Sequence, residues 1–152
     1  MNELSVPDES READRPNESV AMADGIRPRL LLECDCELAL DYLRIDASEN
    51  LVLIDSVERL GNPESGSELP SHLYGAFHGE RLEGIVLLRP CVAISHGMSD
   101  DVLTLLLPYL LRVPAGLLKG DRHLVEPVWA ALANAVRKAT RDRLEGAFRR
   151  AP

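Results

Sequence analysis

The chain has 152 residues and a formal net charge of −8, with 17 Lys plus Arg against 25 Asp plus Glu. Its hydrophobic fraction of 45% and charged fraction of 28% are ordinary for a globular protein, and this length favours one domain. No apolar stretch approaches the roughly 18 residues that a membrane span requires, and the first 25 residues lack the pattern of a signal or transit peptide. We therefore expect a cytoplasmic domain of bacterial type rather than a secreted, membrane or collagenous protein.

The distribution of charge predicts three segments. Residues 1–27 are expected to form a disordered acidic tail, because the first 25 carry seven carboxylates, two arginines and few large apolar side chains. Residues 28–136 are expected to form the folded domain. Residues 137–152 extend the last helix, and six Lys or Arg against two carboxylates make this extension basic.

The first elements of the domain follow from its apolar pattern. An apolar run at residues 29–34 predicts a strand, and residues 37–44 predict a helix. A second helix is expected from Asp46, as the N-cap, to Gly61, which stops it. Residues 62–71 are rich in Pro, Gly and Ser and predict a surface loop.

Alternating apolar residues next predict a meander of three strands, at residues 72–77, 82–88 and 91–95. Gly84, inside the second of these strands, indicates a bulge or a close approach of another element. A helix should follow at residues 101–111, and Pro108 should kink it or end it early.

A short strand at residues 115–119 and a long helix that starts between Asp121 and Glu126 complete the domain. An apolar stripe formed by Val125, Trp129, Leu132 and Val136 makes this helix strongly amphipathic. The order of elements is then β-α-α-β-β-β-α-β-α, which predicts an α/β fold.

Metal, nucleotide and nucleic-acid sites are not indicated. Cys34 and Cys36 could supply two thiolates, but tetrahedral zinc needs four ligands, and the histidines are scattered. Phosphate-binding loops, dinucleotide fingerprints and nucleophile elbows are missing from the sequence. The basic extension is interpreted as a solvated helix face with pairs such as Arg141–Glu145, so nucleic-acid binding is not expected.

Five stretches of the chain, spread over about residues 29–132, carry a family resemblance. They are residues 41–44 (Asp-Tyr-Leu-Arg), 49–53 (Glu-Asn-Leu-Val-Leu), 73–77 (Leu-Tyr-Gly-Ala-Phe), 79–88 (Gly-Glu-Arg-Leu-Glu-Gly-Ile-Val-Leu-Leu), and Gly120 with 125–129 (Val-Glu-Pro-Val-Trp). These stretches resemble the GNAT superfamily of N-acetyltransferases, and most of all the N-terminal half of bacterial tandem GNAT-like proteins. The resemblance implies a mixed, mainly antiparallel sheet with helices on both faces.

The resemblance also implies a place for acetyl-CoA. In active members, the pyrophosphate lies on a Gln/Arg-x-x-Gly-x-Gly/Ala loop that opens a helix, where free N–H groups and the helix dipole attract the anion. The equivalent candidate cofactor-binding residues here are His96, Gly97, Met98 and Ser99. This loop has one glycine, lacks the leading Gln or Arg, and is followed by Asp100 and Asp101, which oppose a pyrophosphate. We therefore expect a degenerate loop with no cofactor, and acetyl-CoA only if the protein is active.

Three residues are candidates for acid–base catalysis in an active acetyltransferase: His96, Glu83 and Tyr109. Each also has a structural explanation. His96 suits a solvated loop, Glu83 the polar face of a strand, and Tyr109 the edge of the core.

The main functional hypothesis is a non-catalytic GNAT-like half-unit that binds a protein partner or a second copy of itself. Apolar surface on the final helix or an open sheet edge would form the contact. One alternative is an active acyl-CoA-dependent N-acyltransferase with an unusual loop. Another is an adaptor unrelated to CoA that binds charged partners through its acidic tail and basic helix.

Overall fold

A computed structural model of the chain describes residues 25–62, 72–113 and 116–148. The expected disorder of the tail and the expected surface loop therefore fall mostly outside the described residues. Within the described ranges, none of the helices is long and apolar enough to cross a membrane. In chain order the elements are β1 (Ile26–Leu30), α1 (Cys36–Arg44), α2 (Leu51–Leu60), β2 (His72–His78), β3 (Arg81–Arg89), β4 (Val92–Ile94), α3 (Asp100–Leu110), β5 (Leu118–Lys119) and α4 (Arg122–Phe148).

The five strands form one sheet in the order β1-β2-β3-β4-β5. Neighbouring strands from β1 to β4 are antiparallel, whereas β4 and β5 are parallel and are connected through α3. The predicted α/β class and the mainly antiparallel sheet are confirmed.

Helices cover both faces of the sheet, because the central strands present buried apolar side chains on both sides. In β3, Ile85 and Leu87 belong to the cluster that α1 and α2 cover, whereas Val86 and Leu88 belong to the cluster that α3 and α4 cover. Successive residues of a strand point to opposite faces, so a strand buried on both faces is apolar throughout.

Gly84 in β3 allows α3 to approach the sheet closely. A Cβ atom at this position would lie 2.6 Å from Met98 Cε and 2.8 Å from Val102 Cγ1. The β2–β3 ladder also shifts register between Ala76 and Phe77, opposite this region. The close approach that the sequence indicated at Gly84 is confirmed.

The first strand and the second helix begin at residues other than those predicted. β1 already includes residues 26 and 27, which were assigned to the tail, and it ends at Leu30. Residues 33–35 then form a 3-10 turn, in which the Asp35 carboxylate accepts a hydrogen bond from Leu32 N–H at 2.9 Å and pairs with Arg29 at 2.7 Å. α2 begins at Leu51 rather than after Asp46, because residues 45–49 form turns.

Both prolines within helices are accommodated without ending them. α3 continues past Pro108 to Leu110, so of the two predicted effects, a kink or an early end, the early end does not occur. Pro108 lacks the N–H that would donate to the carbonyl of Thr104, one turn earlier, and the helix tolerates the loss of that one hydrogen bond. Pro127 lies within α4, which begins at Arg122, inside the predicted interval.

The buried face of α4 coincides only in part with the apolar stripe of the sequence, since Leu132 alone of the stripe packs against the core cluster. Leu124 and Val128 are the fully buried residues, whereas Trp129 is 61% exposed and Val136 is 58% exposed. This segment contains two apolar pairs at i, i+4 spacing, Leu124 with Val128 and Val125 with Trp129. Periodicity alone could not decide which of the two pairs faces the sheet. Trp129 and Val136 therefore lie on the surface of α4.

Candidate functional site

The candidate site lies at the carboxyl ends of β4 and β5, the parallel pair, where loops from two strands meet. His96 follows β4, and Asp121 follows β5. The His96 ring nitrogen Nδ1 lies 2.7 Å from Asp121 Oδ1, and Gly97 N–H donates a hydrogen bond to Asp121 Oδ2 at 2.9 Å. One carboxylate therefore binds both the ring and the backbone of the loop after β4.

Gly120 lets the chain after β5 pass close to the end of β4. A Cβ atom at Gly120 would lie 3.0 Å from Ile94 Cβ and 3.4 Å from the Ile94 carbonyl oxygen. Both contacts would be tight, and one of them is to backbone. A residue without a side chain at this point allows Asp121 to come within hydrogen-bond distance of His96.

Asn50 connects this loop to the helices on the other side of the sheet. Its side chain is buried, with Nδ2 donating to the Leu43 carbonyl oxygen at 3.1 Å and Oδ1 accepting from His96 N–H at 2.9 Å. The end of α1, the start of α2 and the loop after β4 are therefore joined by one amide.

A second set of hydrogen bonds lies under the loop. Ser95 Oγ accepts from Ile85 N–H at 3.1 Å and lies 3.3 Å from the Tyr42 hydroxyl. That hydroxyl donates to the Glu83 carbonyl oxygen at 3.3 Å, and burial raises the pKa of Tyr42. The Tyr42 hydroxyl therefore stays protonated, and its hydrogen bond to the backbone of β3 connects α1 to the sheet.

The electrostatics of the His96–Asp121 pair favour an imidazolium beside a carboxylate. The hydrogen bond to Asp121 is the main cause that raises the pKa of His96 above its ordinary value. Partial burial acts to raise the pKa of Asp121, but the hydrogen bonds from Gly97 N–H and His96 outweigh it, and the net shift is downward. Each partner therefore stabilises the charged form of the other.

The remaining residues of the candidate cofactor loop have structural contacts of their own. Ser99 is the N-cap of α3, and its hydroxyl accepts from Val102 N–H at 3.3 Å. Asp100 and Asp101 occupy the first turn of that helix. The Met98 side chain is 2% exposed and packs in the core, so it is not available to a ligand.

The other two catalytic candidates, Glu83 and Tyr109, contact residues outside the loop after β4. The Glu83 carboxylate, half-buried in β3, pairs with Arg81 Nε at 3.2 Å. Tyr109 in α3 packs on Tyr74 of β2, with ring centroids 4.5 Å apart. Among the described residues, neither side chain forms a hydrogen bond with His96 or Asp121.

Sequence reasoning missed Asp121 and Asn50. They lie 25 and 46 residues from His96 along the chain, and the sheet topology brings all three together. The sequence placed Asp121 at the start of the last helix, which gave no sign of its contact with the loop. Metal binding has no support in the described part of the chain, where no group of three or more potential ligands occurs.

A second feature of interest is an open groove beside α4, with a volume of about 550 Å³. Among the described residues its lining is apolar apart from Arg137 and includes no carboxylate. The groove is lined by Val92, Val113, Gly116, Leu118, Trp129, Leu132, Ala133, Val136 and Arg137. We call this surface the α4 groove.

Comparison with known proteins identifies no relative. No protein-family model, curated protein or solved structure matches the chain. The loop after β4 and the α4 groove are the two features of the described structure that bear on function.

Replacement of Asn50 by alanine should destabilise the domain strongly. The change leaves the Leu43 carbonyl and His96 N–H without their partner, and each unpaired buried group costs about 1–3 kcal/mol. We expect the free energy of unfolding, measured by urea denaturation, to fall by about 2–5 kcal/mol. Asn134→Ala, on the exposed side of α4, is the matched control and should change it by less than about 0.5 kcal/mol. Equal stability of the two variants would contradict the joining role of Asn50.

The His96–Asp121 pair should make stability depend on pH. Because the pKa of His96 is raised in the folded state, the stabilisation is complete below the ordinary value of 6.5 and is lost as the pH rises through the folded-state pKa. The melting temperature of the wild type should therefore fall more steeply from about pH 6 to pH 9 than that of His96→Ala. His72→Ala, at an exposed position of β2, should retain the wild-type profile. Superimposable profiles of the wild type and His96→Ala would rule out the pair as the cause.

Proposed function

We propose that this chain is a non-catalytic, GNAT-like binding domain that docks a protein partner in the α4 groove. The observation that carries the proposal is the exposure of Trp129 and Val136 beside an open apolar groove. Single exposed apolar residues are common on protein surfaces, but a clustered patch with a concave shape is typical of a docking surface. Tryptophan is also enriched among the residues that contribute most to binding.

The length of α4 supports the same proposal. The helix has 27 residues, which span about 40 Å, yet its last fully buried residue is Val128. The side chains described after Val128 are half-buried or exposed. Because most of the stability of a helix in a protein comes from the packing of its apolar face, packing of a partner along the part of α4 after Val128 would stabilise it.

The loop after β4 supports a non-catalytic role. A pyrophosphate at this loop would have to displace the Asp121 carboxylate from Gly97 N–H and approach Asp100 and Asp101. Bringing another anion near these carboxylates is unfavourable, and the hydroxyl of Ser99 already accepts from the first turn of α3. The protein's own carboxylate thus occupies the position that an anionic cofactor would need.

The geometry of His96 favours a second candidate function, that of an acyl-CoA-dependent N-acyltransferase. Asp121 holds the ring through Nδ1, so above the raised pKa of His96, where the ring is neutral, Nε2 is the nitrogen that can take a proton from an acceptor amine. Release of CoA thiol from acetyl-CoA in the presence of amines, lost in His96→Ala and retained in His72→Ala, would support this function over the binding domain.

Substitution of the exposed apolar pair should abolish partner binding. A tagged wild-type chain is used to capture partners from its source cells, and the affinity of each identified partner is then measured in purified form. We expect Trp129→Ser with Val136→Ser to weaken that affinity by at least about 30-fold, since hot-spot truncations cost about 2 kcal/mol or more.

The matched control is Leu51→Ser. Leu51 is also 61% exposed but lies on α2, on the other face of the sheet, so this variant should bind as the wild type does. Affinity that is unchanged in the Trp129/Val136 variant would overturn the α4 groove as the docking surface.

A further inference from the structure

We propose that the acidic N-terminal segment of this same chain, residues 4–9, covers the α4 groove, so that a partner must displace it. The inference rests on the proposed function of the groove as a docking surface. The segment lies before the described residues, and its sequence is Leu-Ser-Val-Pro-Asp-Glu. Its charge, its apolar pattern and its reach all fit this surface.

The chemistry of the α4 groove and of the helix beyond it favours an occupant with apolar side chains followed along the chain by acidic ones. Arg137 is the charged residue among the described lining, and over residues 138–143 α4 presents the exposed side chains of Lys138, Arg141 and Arg143 against that of Asp142. A ligand with aliphatic side chains followed by carboxylates therefore matches both parts of the surface.

Residues 4–9 have this chemistry. Leu4 and Val6 are two residues apart, so in an extended conformation they would lie on the same side of the chain, as would Asp8. Pro7 disfavours a helix through this stretch. Leu4 and Val6 can thus enter the groove beside Trp129 while Asp8 pairs with Arg137.

The chain is long enough for this contact. The segment joins the domain at β1, the edge strand farthest from β5, which is four strand spacings or about 19 Å away. Val6 precedes Gly25 by 19 residues, which reach up to about 60 Å when extended. Val20 and Met22 are also apolar, but at most five residues separate them from Gly25, and these reach only about 17 Å.

A second copy of the chain fits the groove less well. Pairing of two α4 helices would bring together two helices that both carry the basic stretch at residues 137–143. Like charges across an interface disfavour association, whereas the first 24 residues carry seven carboxylates against two arginines. Attachment to the same chain also gives the segment an effective concentration near the millimolar range, so a weak contact is sufficient.

Trp129 is the only tryptophan of the chain, so its fluorescence reports directly on the groove. The experiment compares acrylamide quenching in the full-length wild type, in Leu4→Ser with Val6→Ser, and in the control Val20→Ser with Met22→Ser. We expect the quenching constant to rise about twofold or more in the Leu4/Val6 variant, because a segment at an effective concentration equal to its Kd covers the groove half of the time. The Val20/Met22 variant should quench as the wild type does.

Salt supplies a second measurement on the same proteins. At 1 M salt the Debye length is about 3 Å, so quenching should rise in the wild type and change little in the Leu4/Val6 variant. Equal quenching in these two proteins at low salt would overturn the inference. So would protection of Trp129 that appears only as the protein concentration is raised, since that indicates a second copy.

The quenching experiment and the partner-binding experiment can fail independently of each other. If the Leu4/Val6 variant raises quenching while the Trp129/Val136 variant still binds its partner, the segment covers the groove but the partner docks elsewhere. If quenching does not change but Trp129 and Val136 are needed for partner binding, the docking function stands and the covering segment is excluded. Tighter partner binding by the Leu4/Val6 variant than by the wild type supports both.

Discussion

The parallel pairing of β4 with β5 is the contact on which both functional surfaces depend. It is short, with Val92 opposite Leu118 and Ala93 opposite Lys119. At its carboxyl end it brings the loops after the two strands together and so places His96 beside Asp121. At its amino end, Val92 and Leu118 form part of the α4 groove. A change of one residue in this register would alter the polar site and the groove together.

The two surfaces differ in how their polar groups are satisfied. Around the loop after β4, Asp121 accepts from Gly97 and His96, while Asn50 bonds to the backbone on both of its sides. Such a network is specific and rigid because each buried group has a partner, and an incoming anion would have to break it. The α4 groove is the opposite case. Covering its exposed apolar side chains would remove them from water and lower the free energy of the protein. This is the condition for a docking surface.

The sequence predicted the class of the fold better than the site. Strongly apolar strands, the hairpin and the close approach at Gly84 depend on local pattern, and the structure confirms them. The sequence could not decide which face of α4 packs on the sheet, because Leu124–Val128 and Val125–Trp129 are equally apolar pairs and only the sheet selects between them. Asp121 and Asn50 act across long separations in sequence, so their contacts could not be derived without the topology. Of the candidate cofactor residues, His96 and Gly97 share one carboxylate, whereas Met98 is buried.

We propose that the Asp121 carboxylate fills the loop after β4 and that this loop binds no CoA. A thermal-shift titration of the full-length chain with acetyl-CoA and with CoA, up to millimolar concentration, tests it most directly. A ligand at 100 times its Kd adds about 2.7 kcal/mol to the stability and raises the melting temperature by several degrees. We predict that neither ligand changes the melting temperature of the wild type. A rise that grows with ligand concentration, and is lost in His96→Ala but kept in His72→Ala, would contradict the claim and favour an acyltransferase.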